Sequence, residues 1–252
     1  MAAEKDEIYV TVSIGNWAAV FGHLADQAFL WRQRQLQVLD EDGKQRSSIV
    51  NNLDSAFSCS ALLALATLVE CYDSRLKWKI WYKGLADVRE RFGDAEDKYQ
   101  KLKRHEIFAL FSDEPLEQAE LNEVLSARNC IAHGHIWTYK LHGDDHERVF
   151  LDHQVGWRRG LFQTYVDQEA WVTNQLRIPV IASQFHFTEL AKCARAVDKY
   201  VSQWRSLNAE VDAVCQRSPL FSGRLALAGR DGGAQSVEDI VVAVARAGTP
   251  SA

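Results

Sequence analysis

The segment Ser60–Asp73 (SALLALATLVECYD) is apolar around nearly its whole circumference when it is placed on a helix. A helix without a broad polar face is stable only when other elements surround it. The segment lies within a longer helical pattern over residues 49–92. We therefore predict a central buried helix and a fold that is mainly α.

Four further segments have apolar residues at helical spacing, over residues 16–39, 94–111, 116–133 and 179–217. Asn16 and Pro179 suit the starts of the first and last of these helices. The predicted apolar face of the first consists of Trp17, Val20, Phe21, Leu24 and Ala28. That of the last includes Ile181, Leu190, Ala194, Val197, Val201, Trp204, Leu207, Val211 and Val214.

Alternating apolar and polar residues, which are typical of strands, replace the helical spacing between residues 135 and 178. We predict a small antiparallel β insertion there, as a meander with strands near residues 135–141, 148–153, 160–166 and 169–178. The insertion belongs to a helical domain over residues 1–218, and residues 219–252 form a tail rich in Gly and Ala. Ser236 is placed to cap a short helix in that tail.

Composition and spacing restrict the compartment and the class of protein. The net charge is −5, so binding to nucleic acid requires a local basic surface. Five widely spaced cysteines without a C-x-x-C pair are typical of reduced thiols in the cytosol. Residues 1–10 lack a secretory apolar core, and the longest apolar run, residues 61–69, is short for a membrane span. We predict a soluble, cytoplasmic protein with no membrane partner.

The usual nucleotide-binding and hydrolase motifs are absent from the sequence. Neither a Gly-rich phosphate loop nor a G-x-S-x-G turn occurs, which argues against common nucleotide hydrolases, Rossmann enzymes and serine hydrolases. Histidines cluster between residues 133 and 153 without a diagnostic spacing for zinc ligands. They are His133, His135, His142, His146 and His153. We predict neither a metal nor a cofactor.

Residues 75–104 are basic, with ten Lys or Arg against five Asp or Glu, and aromatic residues lie among them. Trp78, Trp81, Tyr82 and Tyr99 are these aromatic residues. A surface that binds phosphates and stacks bases has this composition. An ordinary pair of solvated helices whose aromatic rings point inward has it too, and the sequence leaves both interpretations open.

The stretch Arg128-Asn-Cys-Ile-Ala-His-Gly134 ends an amphipathic helix. Gly134 suits a helix end, and Asn129 and His133, four residues apart, share a helix face. The residues predicted to face the core are Leu121, Val124, Leu125, Ile131 and Ala132. An arginine holds a phosphate with its planar fork, and a histidine transfers protons near neutral pH. The bare spacing is weak evidence, because Arg148 and His153 repeat it in a predicted strand.

The string Arg-Asn-x-x-Ala-His-Gly, at the end of such a helix, resembles the signature of the HEPN superfamily, all-α domains that include many metal-independent ribonucleases. The resemblance covers residues 121–134 and implies an HEPN-like helical bundle with the β insertion after the motif helix. It implies RNA as the substrate, a homodimer that brings two motifs into one cleft, and a role in a toxin or phage-defence system. An antitoxin or a nucleotidyltransferase is the partner that such a system would supply.

The resemblance also implies a role for each motif residue. Arg128 would bind and polarise the scissile phosphate, His133 would act in acid/base transfer, and Asn129 would orient the histidine or the phosphate. The ribose 2′-hydroxyl would attack, leaving a 2′,3′-cyclic phosphate and a 5′-hydroxyl without a metal. Two alternatives stay open: a non-catalytic module that binds RNA, a nucleotide or a protein, and a scaffold in which the motif is only a helix end.

Two carboxylates stand at the predicted end of the buried segment. Glu70 and Asp73 could orient the motif arginine, or they could be partly exposed residues at a helix end. We favour the second interpretation on the sequence alone.

Overall fold

The computed structural model describes residues 17–34, 53–93, 95–132, 164–167, 170–207 and 244. For residues 48–52, 137–142, 145–150, 221–222 and 234–235 it describes the backbone alone. The described part of the chain is mainly helical, as predicted. Its helices are α1 (residues 17–34), α2 (Ser48–Lys83), α3 (Val88–Phe92), α4 (Glu96–Gln100), α5 (Arg104–Phe108), α6 (Ala119–Ala132) and α7 (Phe187–Arg205).

Helix α2 is the central element of the fold, and it packs against both α6 and α7. Its side chains Leu62 and Leu65 are fully buried, in agreement with the predicted buried segment, and so is Ile80 beyond that segment. Residues Leu53–Lys83 are long and apolar enough to cross a membrane, judged by length and composition. Half of the most apolar window is buried inside the fold, and the central helix of a soluble bundle passes the same test.

The buried face of α1 agrees with the predicted one at Phe21 and Ala28 and differs from it at other positions. Trp17 and Val20 are exposed, whereas Ala18 and Ala25 are fully buried beside Phe21. The prediction relied on large apolar residues, but alanine permits a closer approach between helices. The residues of the predicted helix beyond 34 lie outside the described part of the chain.

The predicted helices over residues 49–92 and 94–111 are both interrupted. Gly84 adopts a left-handed φ of 66° after α2, and Arg89 donates from Nε to the Trp81 carbonyl and from a terminal nitrogen to the Tyr82 carbonyl, each at 3.2 Å. These bonds satisfy carbonyl groups at the end of α2. Between Glu96 and Phe108 the chain forms two single-turn helices, α4 and α5, instead of one long helix.

Helices α6 and α7 begin later than predicted, at Ala119 instead of residue 116 and at Phe187 instead of residue 179. Pro179 lies in an isolated bridge with Val172, and a short 3-10 turn, Ala182–Gln184, follows. A residue of another helix stabilises the start of α7, because Asp54 of α2 accepts a hydrogen bond from the Phe187 amide at 3.1 Å. The predicted continuation of α7 beyond 207 lies outside the described residues.

Among the residues that the structure describes, the strands form three separate pairs. Residues 151–163, which include parts of the predicted strands 148–153 and 160–166, lie outside the described part of the chain. Strands β1 (Trp137–His142) and β2 (Asp145–Phe150) form an antiparallel hairpin, in which Trp137 lies opposite Phe150. Strands β3 (Val166–Asp167) and β4 (Val172–Thr173) form another short pair. In the predicted tail, β5 (Phe221–Ser222) pairs with β6 (Ala234–Gln235), and the predicted helix after Ser236 lies outside the described residues apart from Val244.

Candidate functional site

The motif helix α6 is held by its buried face. Leu121, Val124, Ala127 and Cys130 are buried there, and Leu125 and Ile131 pack partly against the core. Ala132 is exposed, so its predicted place in the core is wrong. Burial raises the pKa of the Cys130 thiol to about 12, so this cysteine stays protonated. The motif is therefore presented on a rigid helix.

The motif residues differ in how they are placed. Arg128 lies half-buried in the last turns of α6, and Asn129 is exposed. His133 follows Ala132 in the sequence and lies outside the described residues. Arg148, the arginine of the repeated spacing, lies opposite Tyr139 in the β1–β2 hairpin, and His153 lies outside the described residues.

Arg128 forms an ion pair with Glu70 of α2, through a terminal guanidinium nitrogen and Oε1. The arginine side chain is 23% exposed and the glutamate side chain is 49% exposed. Arg128 Nε is buried and has no hydrogen-bond partner among the described residues. Glu70 and Asp73 lie within α2, which continues to Lys83, so their placement at a helix end is wrong. For Glu70 the contact with the motif arginine, the less favoured interpretation, is the one observed.

Asp73 lies one helical turn from Glu70 and joins α2 to α5 and α7. Its Oδ2 pairs with Arg104 Nε, and its Oδ1 accepts a hydrogen bond from the Tyr200 hydroxyl at 2.6 Å. Burial raises the pKa of this carboxyl, against the opposite effects of Arg104 and Tyr200. The sequence did not predict Arg104 and Tyr200 as partners, because no local pattern indicates a pairing across 31 or 127 residues.

Lys77 lies one turn further along α2. Its Nζ donates to the carbonyl of Gln100 at 3.0 Å and to that of Leu102 at 2.6 Å, and these bonds fix the chain that leads into α5. Burial lowers the pKa of Lys77, and the neighbouring Asp73 carboxylate opposes that change. The ammonium group is therefore anchored by backbone groups that carry no full charge.

An open cleft of about 490 Å³ lies between α2, α5 and the start of α6. Its charged or ionisable lining residues are Glu70, Asp73, Lys77, Lys103, Arg104 and His105. Gln118 and Asn122 of the α6 region complete the polar wall. Because Glu70 lines this cleft and also binds Arg128, the cleft adjoins the motif arginine.

The basic segment 75–104 combines features of both interpretations left open above. Trp81 and Tyr99 stack inward with ring centroids 5.2 Å apart, and Arg75 and Lys79 are buried, as in an ordinary helical packing. Trp78 and Tyr82 stack with centroids 5.0 Å apart, and Tyr82 is exposed. Part of the positive charge thus serves the fold, and part of it lines the cleft.

Among the residues that the structure describes, no group of three His, Cys, Asp or Glu is arranged to hold a metal ion. Comparison with known proteins found no matching family model, no matching curated protein and no matching solved structure. The described part of the chain is mainly α, with a cleft lined by charged residues beside an arginine on a helix that is buried along one face.

Proposed function

We propose that the protein is an HEPN-like, metal-independent endoribonuclease whose site is centred on Arg128. The observation that carries this proposal is the placement of Arg128. Its guanidinium lies beside a cleft lined by Lys77, Lys103 and Arg104, on a helix fixed by buried side chains. A positioned guanidinium next to further positive charge suits an RNA phosphate, because it stabilises the negative charge that develops on that phosphate.

The proposed reaction is attack by the ribose 2′-hydroxyl on the adjacent phosphorus. The 2′-oxygen loses its proton to a base as the new O–P bond forms, and the bond to the 5′-oxygen breaks as that oxygen takes up a proton. His133 carries out proton transfer, since its unperturbed pKa lies near neutral pH. Arg128 binds the phosphate, and Asn129 orients the histidine or the phosphate. Two copies of the chain supply the full set of groups, because one helix offers one arginine and one histidine.

Phosphate binding without cleavage is the second candidate function. Binding needs only positive groups and hydrogen-bond donors, and the cleft offers Lys77, Lys103 and Arg104 for that purpose. The Glu70 pair favours this candidate, since it leaves Arg128 engaged by a carboxylate instead of open to a scissile phosphate. RNA, a nucleotide or a partner protein is the ligand in this case.

Cleavage of RNA in the presence of EDTA separates the two candidates. We expect the wild-type protein to cut RNA with chelator present, and we expect the product to end in a 2′,3′-cyclic phosphate. His133→Ala should lower the rate by about 10²- to 10⁴-fold through loss of proton transfer. Arg128→Ala should lower both rate and affinity.

The control is His153→Ala, which alters the histidine of the repeated spacing and leaves the motif intact. Equal loss in His133→Ala and His153→Ala would show that the histidine effect is not specific to the motif. If the folded wild-type protein binds RNA, with weaker binding in Arg128→Ala, and no RNA is cut, the non-catalytic candidate replaces the enzyme.

The toxin or phage-defence context, the homodimer and the antitoxin or nucleotidyltransferase partner belong to this proposal as well. The molecular mass in solution, measured by light scattering, tests the dimer directly. A monomer at the concentrations where RNA is cut would remove the two-motif site.

A further inference from the structure

The cleft beside Arg128 contains positive groups whose hydrogen-bond donors are only partly used. Arg104 bonds Asp73 through Nε, and among the described residues its terminal nitrogens bond no other group. Lys77 uses two of its three ammonium protons on backbone carbonyls. Lys103 is exposed at the cleft, and its ammonium group has no partner within the described part of the chain.

The two carboxylates of the cleft are already matched by arginines. Asp73 is paired with Arg104 and is also bonded by Tyr200, and Glu70 is paired with Arg128. Among the residues that line the cleft, the three cationic side chains Lys77, Lys103 and Arg104 outnumber the two carboxylates. The Glu106 carboxylate, which accepts a hydrogen bond from the Lys103 amide, lies beside them. A negatively charged ligand would therefore meet two lysines and the open side of Arg104.

The cleft is also preorganised. The Lys77 bonds to Gln100 and Leu102 and the Tyr99 hydroxyl bond to the Lys77 carbonyl, at 2.9 Å, hold α2 against the chain before α5. Asp73 fixes the direction of the Arg104 side chain. A ligand that enters does not have to order these groups, which lowers the entropic cost of binding.

A hydrogen-bonding rim completes the cleft. His105 Nδ1 lies 3.4 Å from Gln118 Nε2, and both residues line the opening. Imidazole and amide groups, together with lysine and arginine, are side chains that bind phosphate and sugar oxygens. Among the described residues that line the cleft, Leu102 is the only one with an apolar side chain.

We propose that this cleft is a second phosphate subsite, which binds a phosphodiester or phosphomonoester group next to the one at Arg128. This proposal rests on the proposed function, because the neighbouring phosphate is the one that Arg128 would bind. Glu70 lines the cleft and also pairs with Arg128, so the two phosphate positions would be adjacent. It adds a binding site formed by Lys77, Lys103, Arg104 and His105. The phosphate belongs either to the backbone of an RNA chain or to a free nucleotide.

The test is binding of a fluorescent 2′-deoxy oligonucleotide, which has no attacking hydroxyl and is not cut by the proposed reaction. Lys103→Glu is the informative variant, because the Lys103 side chain is exposed at the cleft. We expect its affinity to fall by at least about fivefold, as expected when a charged hydrogen bond is removed. The slope of log affinity against log salt should become shallower by about 0.7 for each phosphate of the single strand that is no longer bound.

Lys98→Glu is the matched control. Lys98 is an exposed lysine of the same basic segment, on α4, and it does not line the cleft. It carries the same change in net charge, so a nonspecific electrostatic effect would weaken both variants equally. Equal affinities of Lys103→Glu and Lys98→Glu overturn the subsite.

Inorganic phosphate and adenosine monophosphate, used as competitors, distinguish the two sources of the phosphate. If these small competitors displace the oligonucleotide from the wild-type protein but not from Lys103→Glu, the result supports the subsite with a free nucleotide as its ligand. Competition only by an unlabelled oligonucleotide, with the same dependence on Lys103, supports it with a polynucleotide.

The two proposals fail in distinguishable ways. Weaker binding in Arg128→Ala with unchanged binding in Lys103→Glu overturns the subsite and leaves the proposed function standing. Weaker binding in Lys103→Glu with unchanged binding in Arg128→Ala supports the subsite and counts against a function centred on the motif.

Discussion

Burial determines the chemical behaviour of the cysteine side chains. Cys59, Cys71, Cys130 and Cys193 are free thiols among the residues that the structure describes. Burial raises the pKa of Cys59 to about 11 and that of Cys130 to about 12, and it raises the pKa of Cys193 as well. These thiols are therefore packing groups rather than nucleophiles at neutral pH.

The raised thiol pKa values predict a loss of stability at alkaline pH. An unfolded thiol ionises near pH 8.5 to 9, whereas folded Cys130 stays protonated to about pH 12. The folded pKa is the higher one, so the contribution is complete below the unfolded pKa and is lost as pH rises towards the folded pKa. Each such thiol should lower the free energy of unfolding by about 1.4 kcal/mol per pH unit above pH 9.

Urea unfolding between about pH 8 and pH 11 measures this slope, and Cys130→Ala isolates the share of one thiol. The variant should be less stable at the lower pH, because it leaves a small cavity, and its stability should fall less steeply with pH. An unchanged slope would contradict the assignment of the raised pKa to Cys130. Cys71, which is less buried, serves as the comparison.

At the scale of the secondary-structure elements, two glycines end two helices in different backbone conformations. Gly84 follows α2 with φ 66° and ψ 26°, the ordinary left-handed region. Gly93 follows α3 with φ 55° and ψ −132°, a region that side chains strongly disfavour. A Cβ atom added to either glycine would meet no other atom within 4 Å, so the cost of substitution comes from the backbone alone.

Substitution by asparagine should separate these two glycines. Asparagine tolerates the left-handed region, so Gly84→Asn should cost less than about 1 kcal/mol. Gly93→Asn should cost about 1 to 3 kcal/mol, because the conformation is strained for any residue with a side chain. Thermal or urea unfolding of both variants measures the difference, and equal costs would argue against the conformation at Gly93.

Sequence periodicity predicts whole helices better than their ends. The buried stripe of α7, with Leu190, Ala194, Val197 and Trp204, follows its apolar spacing, and the structure confirms it. The start of α7 does not follow from local sequence, because it depends on a carboxylate 133 residues away. The predicted long helix after residue 94 fails for a related reason, since Lys77 of α2 bonds carbonyls that a continuous helix would use internally.

The candidate site, too, could be predicted from the sequence only in part. The motif that carries Arg128 is visible in the sequence, because its residues are close together on one helix. The pairing with Glu70 joins residues 58 apart, and the cleft joins three elements. Such contacts depend on how helices pack, and neither charge nor spacing specifies them.

At the scale of the whole molecule, Asp54 connects three helices. Its side chain is fully buried in α2 and accepts hydrogen bonds from the Phe187 amide and the Ser58 hydroxyl, both at 3.1 Å. Its other oxygen lies 3.1 Å from His186 Nδ1 and 3.8 Å from a terminal nitrogen of Arg32 in α1. One carboxylate thus holds α1, α2 and the start of α7 together.

Asp54→Ala should therefore destabilise the fold by about 3 kcal/mol, because it leaves the buried Phe187 amide and the Ser58 hydroxyl without their acceptor. Glu70→Ala is the control, since Glu70 is a half-exposed carboxylate whose pair should contribute less than about 1 kcal/mol. The free energy of unfolding in urea gives both values. A cost for Asp54→Ala no larger than that for Glu70→Ala would show that the three helices are held without it.

The pair between Glu70 and Arg128 has a consequence for any ligand of the motif arginine. Glu70 is a tethered anion, and tethering gives a competing group an effective concentration on the order of millimolar. The concentration of a ligand with one negative charge has to exceed this effective concentration before the ligand occupies Arg128. Its apparent affinity falls as the fraction of time that Glu70 is paired with Arg128 rises. A ligand with several phosphates gains other contacts at once and overcomes the same threshold. The protein's own carboxylate would thus act as a filter that passes polyanions and rejects the abundant small anions of the cell.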